Sequence, residues 1–211
     1  MKAPSIIACG SLIGVVAGCF LNSSSRPAPE PVQTEQAYAT MDSMSPDALP
    51  YTTARLTLAG TPVSVQLERE SKGEDVVFKL IAKKTLIEEE HYVVRTNSFL
   101  FAGLSDETFD PAIPVVRFPF RVGDTWDWEG KAALGTNRKD AKAVITSSPE
   151  RINLSGGVYD CVVIVADLVV DAGDGAQSKR ALKFWIQPKK GIVKREFFYS
   201  STREPRPAGS P

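Results

Sequence analysis

Thirteen residues, "VYDCVVIVADLVV" (Val158–Val170), place apolar side chains on both faces of an extended strand. Successive side chains in a strand point to opposite sides. Cys161, Val163, Val165 and Val169 therefore share one face, and Val162, Ile164, Leu168 and Val170 share the other. A ribbon of this kind has no side suited to water. One face can pack on a core; the second needs another sheet layer, a curled partner or a bound apolar molecule.

The same period of two recurs from Tyr51 to Ser201. Val63, Val65 and Leu67 alternate with Ser64, Gln66 and Glu68, while Val76, Phe78 and Leu80 share a face, as do Leu182, Phe184 and Ile186. Turn signals separate the runs: Gly60-Thr61-Pro62, Lys72-Gly73, Gly135-Thr136-Asn137, Ser148-Pro149, Gly156-Gly157, Gly173-Asp174-Gly175 and Pro188 to Gly191. This pattern predicts an all-β fold: a curved antiparallel sheet, half-barrel or sandwich-like, of about ten strands. One short helix stays open. "KKTLIEEEHYVV" could carry Glu88 to Glu90 on a helix, but Tyr92, Val93 and Val94 favour a strand.

With 25 basic residues against 25 acidic ones, the chain gives no electrostatic reason to expect nucleic acid as a partner. Removing Met1–Gly18 takes away Lys2 alone, leaving 24 against 25. The 1 histidine excludes multi-histidine metal sites, and no cysteine cluster compensates, so no cofactor or metal is expected.

The N-terminus supplies an address. Met1-Lys2 is a cationic start, and Ile6 to Val16 has the length of a signal-peptide apolar segment. The uncharged run from Ile6 to Leu21, 16 residues, is shorter than the roughly 20 a membrane-spanning helix needs. The order Val16-Ala17-Gly18-Cys19 then resembles the lipobox of bacterial lipoproteins. That resemblance implies a thiol acylated by a diacylglyceryl group, with cleavage making Cys19 the first residue. Ile6-Ile7-Ala8-Cys9 fits the same short pattern, but too few residues separate it from Lys2, so Cys9 falls in the cleaved segment. An ordinary secretory signal and an uncleaved anchor are the alternatives. Cys161 is then left without a partner and is expected as a buried small hydrophobe, with no internal disulfide.

The expected organisation is a signal peptide over residues 1–18 and a lipidated Cys19 with a Pro/Ser-rich tether over 19–50. An all-β domain over 51–201 and a disordered tail over 202–211 complete it. The tether reading rests on Pro27, Pro29, Pro31, Pro46 and Pro50 without apolar periodicity; "EQAYATMDSM" within it has room for a helical turn or two.

"FDPAIPVVRFPFRVGDTWDWEG" (Phe109–Gly130), with "LSGGVYDCVVIV" and "FWIQPKKGIVKRE", resembles the DUF3108-like, TapB-type family of bacterial secreted proteins. The likeness covers roughly Phe109 to Phe198, and its motifs are turns and aromatic strands. It implies a curved sheet akin to the half-barrel of lipoprotein carriers and brings no catalytic residue with it.

Local motifs add little chemistry. "LSGG" (Leu154–Gly157) copies the signature tetrapeptide of ABC transporter ATPases, but no phosphate-binding loop accompanies it, and a hairpin turn is expected. Asp127 with Glu129, and Glu88 with Glu90, could be paired carboxylates. Both pairs are expected on solvated faces. His91 lacks a nucleophile motif nearby and is expected to be exposed. Asp171 and Asp174 lack calcium-loop spacing. Lys189, Lys190, Lys194 and Arg195 form a basic cluster in sequence that could meet anionic headgroups.

These readings converge on a non-enzymatic, lipid-anchored cell-envelope protein, on the periplasmic face of the outer membrane if the cell has one, with Phe20 after Cys19 in place of a retention-type aspartate. Its partners are the membrane through Cys19, and an envelope protein or apolar ligand. One alternative is a carrier or sensor of an apolar ligand in the concave sheet, with Trp126, Trp128, Val163, Phe184 and Trp185 as lining or core. A hydrolase is the remote one.

Overall fold

The structure, a computed structural model, describes residues 36–58, 60–155, 157–173, 176–197 and 200–204. The proposed signal segment, Cys19 and residues 20–35 lie outside the described residues. Strand β1 (Ala37–Tyr38) and helix α1 (Met41–Met44) come first. The hairpin strands β2 (Thr53–Leu58), β3 (Thr61–Lys72), β4 (Asp75–Ala82), β5 (Thr85–Arg95), β6 (Ser98–Leu104) and β7 (Glu107–Arg117) follow. After the two-residue β8 (Phe120–Arg121) come β9 (Thr125–Leu134), β10 (Asn137–Leu154) and β11 (Gly157–Gly173). The chain then forms β12 (Ala176–Gln187), β13 (Gly191–Glu196) and β14 (Ser200–Glu204).

Apart from the β1–β8 pair, the strands make one curled antiparallel sheet. Its twelve members run β10-β11-β12-β13-β14-β2-β3-β4-β5-β6-β7-β9, and β9 returns to β10, so the pairing circuit closes. The expected all-β curled sheet with one short helix is the fold observed.

Alternation decides which side chains enter the barrel. Val65, Leu67, Val76, Phe78, Leu80, Leu182, Phe184 and Ile186 are all at most 5% exposed and belong to one core. Aromatic rings cross the lumen. Phe101 of β6 meets Phe184 of β12 edge-on at 5.6 Å and Phe197 at 4.8 Å, and it lies 5.4 Å from Tyr92. Contacts of this kind couple strands far apart in the circuit.

β10 and β11 are long, 18 and 17 residues, and pair with each other from Ala141↔Val170 to Leu154↔Gly157. β9 leaves β10 at Thr146, and β12 joins β11 only from Val162, so the hairpin projects past both neighbours. Ser148-Pro149, expected as a turn, lies inside β10 opposite Val163 and Val162. Beyond β9 the outer edge of β10 has no ladder partner among the described residues, and an edge is where a residue without an N–H can sit. Gly135, at φ 59°, makes the two-residue turn to β10, as its sequence suggested.

The second apolar face of β11 is covered by the chain itself. Cys161 and Val163 pack outside the barrel with Ile152, Tyr159, Trp185, Val193 and Tyr51, and Leu49 closes over them. Tyr51 and Leu49 belong to a strap, residues 41–51, that also buries Met44 in the barrel core. This corrects the tether boundary. Residues 36–50 were expected as tether, yet Tyr38 is 5% and Met44 0% exposed, because the few apolar residues there suffice to dock a short segment. The tail boundary moves as well: Thr202, Arg203 and Glu204 continue β14 beside Arg55, Ala54 and Thr53.

The strap is fixed over the β12–β13 turn. Lys189 donates its backbone N–H to Met44 O at 2.8 Å, and Gly191 faces Ala48, where an added Cβ would stand 2.0 Å from the carbonyl oxygen. Gly191 also holds φ 77°. Gly191→Ala should thus combine left-handed strain with displacement of the strap, costing roughly 1–3 kcal/mol from the backbone and more from the clash. Gly73→Ala, at φ 62° with open space around it, should show the backbone cost alone. Urea denaturation of the two variants measures the difference.

Candidate functional site

The inward face of β5 reads Glu88, Glu90, Tyr92, and each is 1% exposed. Opposite them in β4 stand Leu80, Phe78 and Val76. The expectation that Glu88 and Glu90 face water is therefore wrong; their parity with Tyr92 puts both carboxylates inside the barrel. Arg195, from β13, is also 1% exposed and meets both. Its Nε donates to Glu90 Oε1 at 2.7 Å, and its Nη2 pairs with Glu88 Oε1. The Tyr92 hydroxyl donates to the other oxygen of Glu90 at 2.9 Å, and the guanidinium lies 4.7 Å from the centre of the Phe197 ring. With both carboxylates ionised, the cluster carries one more negative charge than positive. Glu88 Oε2 has no hydrogen-bond partner among the described residues.

In the circuit, β13 and β5 are separated by β14, β2, β3 and β4. The Arg195 side chain is therefore a strut across the lumen. Buried ion pairs recover their desolvation cost only through close geometry, and losing one partner strands the other. Arg195 also leaves the basic cluster expected from sequence. Lys194 points outward over Trp185, 4.1 Å from the ring centre and 2.7 Å from Glu196 Oε1, and Lys189 Nζ donates to Asp42 O.

A second feature is the seam between β7 and β9. These strands pair only from Glu107↔Leu134 to Asp110↔Lys131. From Pro111 onward β7 presents two prolines, which cannot donate to a ladder. Indole groups take over: Trp128 Nε1 donates to Pro111 O at 3.0 Å and Trp126 Nε1 to Pro114 O at 2.7 Å. Gly130 permits the approach, since a Cβ there would lie 2.7 Å from Asp110 O. Phe120, stacked on Tyr38 at 6.1 Å and edge-on to Trp126 at 6.1 Å, closes the seam at its β8 end.

The residues expected to line one apolar site fall in separate places. Trp128 and Phe184 are core residues inside the barrel, with Trp126 half-buried against them. Val163 and Trp185 belong to the outer cluster under the strap, where Trp185 Nε1 donates to Glu150 Oε2 at 3.1 Å. Asp127 and Glu129 are exposed, as expected. His91 is half-exposed on the outer face, its Nε2 3.6 Å from Glu89 Oε2. Cys161 is a free, buried thiol, and burial, with Glu150 and Asp160 nearby, pushes its pKa from 9.0 to about 12. Such a thiol is a packing residue, not a nucleophile. Cys19 lies outside the described residues.

Two grooves mark the outer surface. One, of about 670 Å³, runs over β9, β10 and β11 and is lined by charges that pair with one another: Lys131 with Asp140 at 2.6 Å, Arg138 with Asp110 at 2.5 Å. The other, of about 740 Å³, lies outside β6 and β7 on an apolar floor that includes Leu100, Ala102 and Pro114. Sequence reading missed both the Arg195 strut and this groove. The parity of Glu88 and Glu90 with Tyr92 was the available signal for the first. "SFLFAGL" (Ser98–Leu104), apolar on both faces like β11, was the signal for the second.

No family model matches the chain, and no curated protein matches it either. Among solved structures, the chain is similar to the hypothetical lipoprotein YmcC from Escherichia coli, at 12% identity and TM-score 0.47 over 75% of this chain and 89% of that one. It is also similar to a provisionally assigned lipoprotein from Parabacteroides distasonis, at 13% identity and TM-score 0.46 over 72% of this chain and 92% of that one.

Arg195→Met, which leaves two buried carboxylates without their cation, should cost roughly 3–5 kcal/mol in urea denaturation. Replacing Glu88 and Glu90 by Leu in the same chain should recover most of that loss. Cys161 gives a pH dependence. Its thiol ionises near 9.0 when unfolded and near 12 when folded, so stability is complete below pH 9 and falls as pH rises toward 12. Tyr38, raised by burial from 10.0 to about 12, acts in the same direction. Urea midpoints between pH 8 and 11 should decline less steeply in Cys161→Ala.

Proposed function

We propose that this chain is a non-enzymatic, lipid-anchored protein of the cell envelope whose barrel is an interaction or structural module. The order Val16-Ala17-Gly18-Cys19 after an apolar run supports the anchor. The module reading is carried by one observation, the occupied interior. Phe184, expected to line a ligand site, is 0% exposed and held between Phe101 and Phe197. The Arg195 strut crosses the same space. A carrier that holds its cargo in the lumen would have to displace these groups, at a cost of several buried aromatic contacts and an ion pair.

The tether reading fits the docked strap. Residues 20–35 can reach at most about 55 Å when extended, and they lead to Gln36, whose carbonyl accepts the N–H of Val122 at 3.0 Å. On this reading the barrel sits within one tether length of the bilayer, on the periplasmic side of the outer membrane where one exists.

Mass spectrometry of the N-terminal peptide from membrane fractions should find diacylated Cys19 as the first residue. A free N-terminus at a later position would overturn the anchor. Cys19→Ser should leave the membrane-bound pool of mature protein while its barrel keeps the denaturation midpoint of the parent.

A further inference from the structure

We propose that the groove outside β6 and β7 binds an acyl chain of an anionic phospholipid from the bilayer to which the protein is tethered. Strand β6 is apolar on both faces. Phe99 and Phe101 point into the core, and Leu100 and Ala102 point out, onto the floor of the groove. Ala112, Pro114, Phe118 and Trp128 complete an apolar trough of about 740 Å³. This size is that of sites that enclose small apolar ligands. Leu100 belongs to neither of the two hydrophobic clusters, although it is only 9% exposed.

The polar groups are distributed unevenly. Arg95 and Arg117 line the end of the groove where β5 turns into β6 and β7 runs into β8. Arg117 is exposed and forms no ion pair among the described residues, and Arg95 makes one exposed bridge, to Glu74 at 3.1 Å. At the other end Asp110 is neutralised by Arg138. An amphiphile with a negative head and an apolar tail matches that polarity in one orientation, with phosphate at the arginines and tail along Leu100 and Ala102. The arginine end is also where the chain arrives from Cys19: Ala37 and Tyr38 pair with Arg121 and Phe120, immediately after β7. The bilayer is therefore the nearest source of such a molecule. This last point rests on the anchor proposed above; the shape and charge of the groove do not.

The test uses the full chain, purified from membranes and reconstituted in vesicles. These contain phosphatidylglycerol or phosphatidylcholine with a photoactivatable diazirine on one acyl chain. Labelling of peptides within residues 93–118 should be about fivefold higher per arginine engaged with the anionic lipid than with the neutral one. Arg95→Gln with Arg117→Gln, both at exposed positions, should reduce it to the neutral level with little change in the denaturation midpoint, since the Arg95–Glu74 bridge is exposed. Ala112→Trp, which fills the trough, should remove labelling with either lipid. Equal labelling by both headgroups in the parent, or labelling indifferent to Ala112→Trp in a folded variant, would overturn the proposal, as would a groove occupied by protein and unlabelled by lipid. The mass of the N-terminal peptide in the same digest reports the anchor separately. An unacylated Cys19 with groove labelling sinks the anchor alone, and the reverse result sinks the groove alone.

Discussion

A guanidinium set between two buried carboxylates, none of which can be lost alone without stranding a buried charge, is the central constraint on this barrel's interior. Arg195 reaches across the lumen from β13 to Glu88 and Glu90 of β5, strands with four others between them in the pairing circuit. Backbone hydrogen bonds join each strand only to its neighbours, and hydrophobic burial is indifferent to direction. A charged, hydrogen-bonded crossing fixes which strands face each other. The Phe197 ring packs on the guanidinium and is itself held by Phe101 and Phe184. Burial of all three charged groups at 1% exposure strengthens their electrostatic attraction. Apolar filling and polar specification thus occupy one space.

The periphery follows from two local failures of regular pairing. Prolines at 111 and 114 end the β7–β9 ladder, and the indoles of Trp126 and Trp128 replace it with side-chain donors. The β10–β11 hairpin outruns its neighbours, leaving an apolar outer face that the strap covers. In both places, aromatic side chains from one element complete the hydrogen bonding or burial of another. The groove outside β6 and β7 adjoins the first of these, where β7 has turned away from β9.

Much of the sheet was legible because alternation is a local property. The inward sets of β3, β4 and β12 follow directly from period two, and the demand of β11 for cover on both faces was met. What was not legible depended on distant partners. Glu88 and Glu90 read as surface acids because their shared cation, Arg195, is remote in sequence, 105 residues beyond Glu90. Some turns carried no glycine to mark them: Lys83 and Lys84 (φ 49° and 68°) and Ser105 (φ 47°) adopt left-handed conformations without it. Pro149 misled in the opposite sense, since an unpaired strand edge tolerates what a central strand refuses. Tyr38 and Met44 lie in a stretch too polar and proline-rich to advertise a docked segment.

The strap gives the molecule a mechanical character. Tension on the segment preceding Gln36 meets first a ribbon of two residue pairs, Ala37↔Arg121 and Tyr38↔Phe120. Next in line are the 0%-exposed Met44 and the Leu49–Tyr51 lid over the outer cluster. A load applied there is carried in series, and the twelve-stranded body is the last part to feel it.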